Sequence, residues 1–138
     1  MRILAVDLGD KRTGLAVGDD ATRIASPIGK LEGPPDERMA QRIAGAAREH
    51  EADVIVLGLP INMDDTEGPR AKLVRTFGDM LAARTSARVD YFDERLTSAE
   101  ADWQMAQSGL THKQKKERRD TLAAAAILRG YLDHIHED

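Results

Sequence analysis

Residues Val54-Ile55-Val56-Leu57 follow one another without a polar interruption. A strand with one solvated face alternates apolar with polar residues, whereas an unbroken run suits a parallel strand covered on both faces. Such a strand needs helices above and below its sheet, and the flanking sequence offers them. After the break at Gly33-Pro34-Pro35, Asp36 is placed to cap a helix running to about His50. Beyond the loop from Gly58 to Asp65, a second helix is expected to reach about Ala83, with Thr66 as its cap and Pro69 in its first turn.

The rest of the chain reads around that centre. Arg2 to Val6 is an apolar strand ending at Asp7, and Gly9-Asp10-Lys11-Arg12 has turn chemistry. Thr13 to Gly18 and an extended piece around Ile24 to Leu31 complete an antiparallel meander. Arg88 to Phe92 forms a last strand that delivers Asp93 and Glu94. Thr97 with Glu100, and Thr111 with Gln114, make two capping boxes, the first helix ending near Gly109. The order β-β-β-α-β-α-β-α-α predicts an α/β fold, a mixed sheet with helices on both faces, in one domain over residues 1–138.

Cysteine is absent, which excludes disulfides and thiolate metal sites. The N-terminal apolar stretch meets Asp7 too early for a signal peptide, and no apolar run approaches the roughly 20 residues that span a bilayer. A cytoplasmic protein with no membrane partner is the expectation. A formal net charge of -4 weighs against a polyanionic partner, but distribution matters more than the sum. Basic residues gather between His112 and Arg119, where Lys113, Lys116 and Arg119 are candidate phosphate contacts. A solvated helix face is the bland alternative.

Three carboxylates occupy unusual places. Asp7 closes the first strand, Glu94 follows the last, and Asp120 lies inside the final helix. Helical spacing puts Asp120 on one stripe with Ala124, Ile127 and Tyr131, the face that packs inward. A carboxylate there needs a partner, because an unpaired buried charge is costly. A divalent ion shared with Asp7 and Glu94 is one solution, and hard oxygen ligands suit Mg²⁺ or Mn²⁺. Two such ions roughly 4 Å apart would support phosphodiester hydrolysis without a nucleophilic side chain. Each acid also has a plainer reading: Asp7 paired with Lys11 or Arg12, Glu94 with Arg95, Asp120 with Lys116.

Lys11 and Arg12 sit in the turn beside Asp7, where they could hold a phosphate or stay solvated. Asn62 lies at the carboxyl edge of a buried strand, suited either to a substrate contact or to closing its own turn. Trp103 reads as packing.

Four segments, taken in order, resemble a known family. Val6-Asp7-Leu8-Gly9-Asp10-Lys11-Arg12-Thr13-Gly14, Val56-Leu57-Gly58-Leu59-Pro60-Ile61-Asn62-Met63-Asp64, Asp93-Glu94-Arg95-Leu96-Thr97-Ser98 and Asp120-Thr121-Leu122-Ala123-Ala124 are similar to the YqgF (RuvX) family. The resemblance implies an RNase H-like fold with a mixed five-stranded sheet, and an acidic triad of Asp7, Glu94 and Asp120. It implies a Mg²⁺- or Mn²⁺-dependent nuclease that trims the 5′ end of pre-16S rRNA in the cytoplasm. Lys11, Arg12, Asn62, Arg95, Lys113, Lys116 and Arg119 are its candidate substrate contacts. Ribosomal particles are candidate partners, and the chain is expected as a monomer or weak homodimer. A Holliday-junction resolvase acting on branched DNA and a non-catalytic nucleic-acid-binding factor are the alternatives. One position departs from the family pattern: Asp65 stands where glycine is usual. If that loop needs a positive φ, aspartate adopts it less readily than glycine.

Overall fold

The run that opened the sequence reading is buried throughout: Val54, Ile55, Val56 and Leu57 are at most 2% exposed. They belong to β4 (Val54–Leu59), an inner strand of a five-stranded sheet in a computed structural model that describes residues 1–96 and 112–135. For residues 112–121 it describes the backbone alone. The other strands are β1 (Arg2–Asp7), β2 (Arg12–Asp19), β3 (Ala25–Glu32) and β5 (Arg88–Asp93). Helices α1 (Glu37–Glu49), α2 (Pro69–Ala82) and α3 (His112–Ile135) accompany them, with a single 3₁₀ turn at Glu94–Leu96.

The sheet order is β3-β2-β1-β4-β5. Short turns make β1, β2 and β3 an antiparallel meander, while the helical crossovers make β4 parallel to β1 and β5 parallel to β4. The carboxyl ends of β1, β4 and β5 therefore share one edge. Strand β3 has no buried residue and carries Pro27, as suits a sheet edge.

Alternation along the strands sends side chains to two cores. Leu4 and Val6 of β1 with Ile55 and Leu57 of β4 pack under α1 and α2, around Met39, Ile43, Phe77 and Leu81. Ile3 and Ala5 with Val54 and Val56 pack under α3, against Ala124, Ala125, Ile127, Leu128 and Tyr131. Helices cover both faces, as the order of elements predicts.

Asp36 caps α1 by accepting from the Met39 N–H at 3.0 Å. The expected cap of α2 is corrected. Gly68, not Thr66, precedes the helix, and Pro69 is its first residue. The Thr66 hydroxyl is engaged in the loop, donating to Asp64 Oδ1 at 2.5 Å and accepting from Asn62 Nδ2 at 3.1 Å. The capping boxes at Thr97 and Thr111, the helix ending at Gly109, and Trp103 lie outside the described residues. Among the described residues, no helix is long and apolar enough to cross a membrane.

Candidate active site

Strand register fixes where Asp7 points. Ile3 and Ala5 face α3, so Asp7, two residues on, faces α3 at the carboxyl edge. Val54 and Val56 set the same face of β4, which brings Gly58 level with Asp7 one step beyond the paired Val6 and Leu57. Gly58 pairs with Phe92 of β5, and two residues later Glu94 turns back over it.

Gly58 is a spacer. A methyl group placed there would meet Ile127 Cδ1 at 2.5 Å and Glu94 Oε1 at 2.6 Å, so glycine lets the Glu94 carboxylate sit between sheet and helix without displacing either side chain. Glu94 is half-buried, and its acidity shows what surrounds it. Burial above all, then the negative charge of Asp7, pushes its pKa up to about 7; the Arg70 cation acts in the opposite direction. Asp7 and Glu94 thus come close enough at one edge to resist joint ionisation. A hard divalent cation would relieve both, and the all-oxygen donor set fits Mg²⁺ or Mn²⁺.

Asp120 lies on α3, and its side chain is outside the described residues. Its helical register is informative nonetheless. Ala124, Ile127 and Tyr131, the rest of its stripe, are all buried on the α3 face, as the sequence pattern predicts. Ile127, which touches the Gly58 position, is seven residues further on, or about 10 Å along the axis at 1.5 Å per residue. Among the described residues, no three His, Cys, Asp or Glu side chains form a metal-binding group. Lys113, Lys116 and Arg119 share the helical backbone of Asp120, and their side chains also lie outside the description.

Lys11 and Arg12 border a depression of about 290 Å³ with Asp7, Gly9, Asp10 and Gly14. Gly9 makes the turn possible, because any Cβ there would collide with the Arg12 carbonyl. Asn62 closes its own loop: its N–H donates to the Thr66 carbonyl at 2.9 Å and its carbonyl accepts from the Asp65 N–H at 2.9 Å. Arg95 braces the same loop, donating to Asp93 through three nitrogen–oxygen pairs of 2.8–3.1 Å, to Asp65 Oδ1 at 2.8 Å and to the Asn62 carbonyl at 3.1 Å. These bonds hold Asp93 below the usual carboxylate range. Asp65 does adopt a positive φ, 69°. Its carboxylate bond to Arg95 supplies local support that a glycine at this position would lack.

The profile of the RuvX family, described as Holliday junction resolvase, matches residues 1–134. This chain belongs to that family. A relative from Agathobacter rectalis is 42% identical over 98% of this chain and 96% of its own length. Another, from Anaeromyxobacter sp. strain K, is 43% identical over 96% of this chain and 97% of its own. Both carry the provisional name pre-16S rRNA nuclease. Among solved structures, the fowlpox virus resolvase in complex with Holliday junction DNA superposes with a TM-score of 0.62 at 15% identity, over 99% of this chain and 100% of the other. The T. thermophilus RuvC–junction complex gives 0.62 at 14% identity, over 99% and 97%. At that identity the likeness concerns the fold, which is the RNase H-like arrangement the motifs imply.

Sequence reasoning missed two members of the site. Gly58 reads as a loop opener until the register places Glu94 above it. Arg70 reads as an ordinary residue in the first turn of α2; in space it donates to the Leu8 carbonyl at 2.6 Å and to the Asp10 carboxylate, bridging α2 to the turn beyond Asp7. Only its nearness to a loop at the carboxyl edge could have drawn notice.

Proposed function

We propose that this chain is a divalent-metal-dependent nuclease of the cytoplasm that cleaves structured nucleic acid, with the 5′ end of pre-16S rRNA in precursor ribosomal particles as its substrate. The observation that carries the reading is the pairing of Asp7 with a half-buried Glu94 whose pKa is raised to about 7 at the carboxyl edge. The names of the 42–43% identical relatives point to the rRNA substrate. Asp7, Glu94 and Asp120 are the residues that would hold Mg²⁺ or Mn²⁺. Such an ion would supply polarisation of a phosphodiester and easier deprotonation of the water that attacks it.

The chain's own groups do the rest. Glu94 would hold the ion as a carboxylate, a form that the Arg70 charge favours. Lys11 and Arg12 neutralise phosphate oxygens at the depression beside Asp7. Asn62 and Arg95 support the loop that walls the site, and Lys113, Lys116 and Arg119 track the backbone ahead of Asp120. The family description favours a second substrate, branched DNA.

The test is a cleavage assay with purified protein on precursor rRNA and on a four-way junction, with and without Mg²⁺. Asp7→Asn should lose at least about 100-fold in rate, the scale of removing one electrostatic stabiliser of the transition state, while its circular dichroism and nucleic-acid binding persist. Full activity in Asp7→Asn, or in EDTA, contradicts the proposal. Preference for the junction over rRNA selects the second substrate.

A further inference from the structure

Arg70 has two partners of different character in the turn after β1. One guanidinium nitrogen donates to the Leu8 carbonyl at 2.6 Å, in a partly buried contact. Another donates to the Asp10 carboxylate, in an exposed one. Leu8 is itself buried, 6% exposed, so its carbonyl is a fixed anchor. The Asp10 side chain is 78% exposed against 37% for Arg70. Surface pairs of that kind contribute only about 0–1 kcal/mol, so Asp10 can leave at little cost.

We propose that Arg70 is a phosphate-binding residue and that the Asp10 carboxylate keeps the place of a nucleic-acid backbone phosphate until substrate arrives. This rests on the nuclease reading and extends its phosphate site to a residue 60 positions away in sequence. A guanidinium held by one arm on a carbonyl is pre-oriented, and its other arm matches a phosphate oxygen as well as a carboxylate oxygen. Asp10 lines the same depression as Asp7, Lys11 and Arg12. With Asp10 swung aside, Arg70, Lys11 and Arg12 flank one path for the backbone, next to the acids that would hold the metal. With Asp10 in place, the free arm of Arg70 is occupied and its charge is offset.

The two ways of understanding the Arg70–Asp10 pair predict opposite signs. A structural pair should weaken binding when Asp10 is neutralised, because the turn loosens. A placeholder should strengthen it. The experiment measures the anisotropy of a labelled structured RNA against salt concentration, without divalent ions, for wild type, Asp10→Asn, Arg70→Ala, Arg70→Lys and the double variant Asp10→Asn/Arg70→Ala.

Asp10→Asn should tighten binding about 3- to 10-fold, and Arg70→Ala should weaken it by a similar factor and lower the salt slope by about one. In the Arg70→Ala background, Asp10→Asn should bring little gain, and Arg70→Lys should keep most of the slope. Weaker binding by Asp10→Asn, or an unchanged slope in Arg70→Ala, overturns the proposal. If Arg70→Ala melts early, the sign of Asp10→Asn and the slope of Arg70→Lys decide. Inorganic phosphate serves as the free-anion arm: millimolar phosphate should compete only weakly, and tight phosphate binding without any Arg70→Ala effect on RNA counts against the assignment. Wild type that cleaves RNA while Arg70→Ala keeps its slope removes the phosphate site alone; wild type that neither binds nor cleaves nucleic acid removes the nuclease reading with it.

Discussion

The two faces of the sheet share most of their materials and differ at the carboxyl edge, where only the α3 side carries the candidate acids. Under α1 and α2 the core is made of large side chains, with Leu4, Met39, Ile43, Ile55, Leu57, Phe77 and Leu81 all nearly inaccessible. Under α3, Ile3, Phe92, Ile127, Leu128 and Tyr131 are buried beside Ala5, Ala16, Ala124 and Ala125, and the glycines at 18 and 58 lie against Leu128 and Ile127. Large interdigitating groups give stability, about 1.5–3 kcal/mol for each fully buried aliphatic or aromatic side chain. Small ones let a helix come close to a sheet and leave space at its edge for polar groups. Asp7 and Glu94 stand on the second face, and Asp120 rides on the helix that covers it. On the proposed reading, the first face serves the fold alone, and the second serves the fold and holds the site.

That division can be broken from either side. Phe77→Ala empties the first core and should cost about 3–5 kcal/mol of unfolding free energy in urea, with Mn²⁺ and RNA affinities of the folded protein unchanged. A matching loss of metal affinity would show that the faces are coupled. Gly58→Ala adds one methyl group against Ile127 and Glu94. Overpacking there should cost about 1–3 kcal/mol and, unlike Phe77→Ala, should depress cleavage even at temperatures where the variant is fully folded.

A further effect is in pH dependence. Glu94 is raised to about 7 in the folded chain from an ordinary value of 4.5, so the native state holds this proton more tightly than the unfolded state. Its contribution to stability is present below pH 4.5 and is lost as pH rises through 7. Metal-free protein should therefore lose melting temperature across that window, and Glu94→Gln should flatten the loss. Added Mn²⁺ should reverse the trend, because ligation needs the deprotonated carboxylate. An identical pH profile in wild type and Glu94→Gln removes Glu94 from the buried pair.

Local chemistry made much of this legible in advance. The unbroken run at 54–57, the turn at 9–12, the Asp36 cap and the inward stripe of α3 each follow from a few neighbouring residues, and all appear in the fold. Asp7 could be named because it directly ends an apolar strand, and Glu94 because it follows the last strand. Contacts between distant segments were not legible. Arg70 reaches Leu8 and Asp10 from about 60 residues away, and no periodicity encodes that. Thr66 has the chemistry of a helix cap, but Asp64 and Asn62 compete for its hydroxyl, and the helix begins later at Pro69. The Gly58 gap is visible only once β5 is laid beside β4 in register.

Titration of Mn²⁺ into wild type and Asp120→Asn, followed by calorimetry or by the electron paramagnetic resonance of the free ion, tests the central claim most directly. Carboxylates from β1, from the end of β5 and from α3 that grip one cation should make Asp120→Asn lose at least about tenfold in affinity, with the melting curve of the apo protein little changed. Equal Mn²⁺ binding by the two proteins would contradict the shared site.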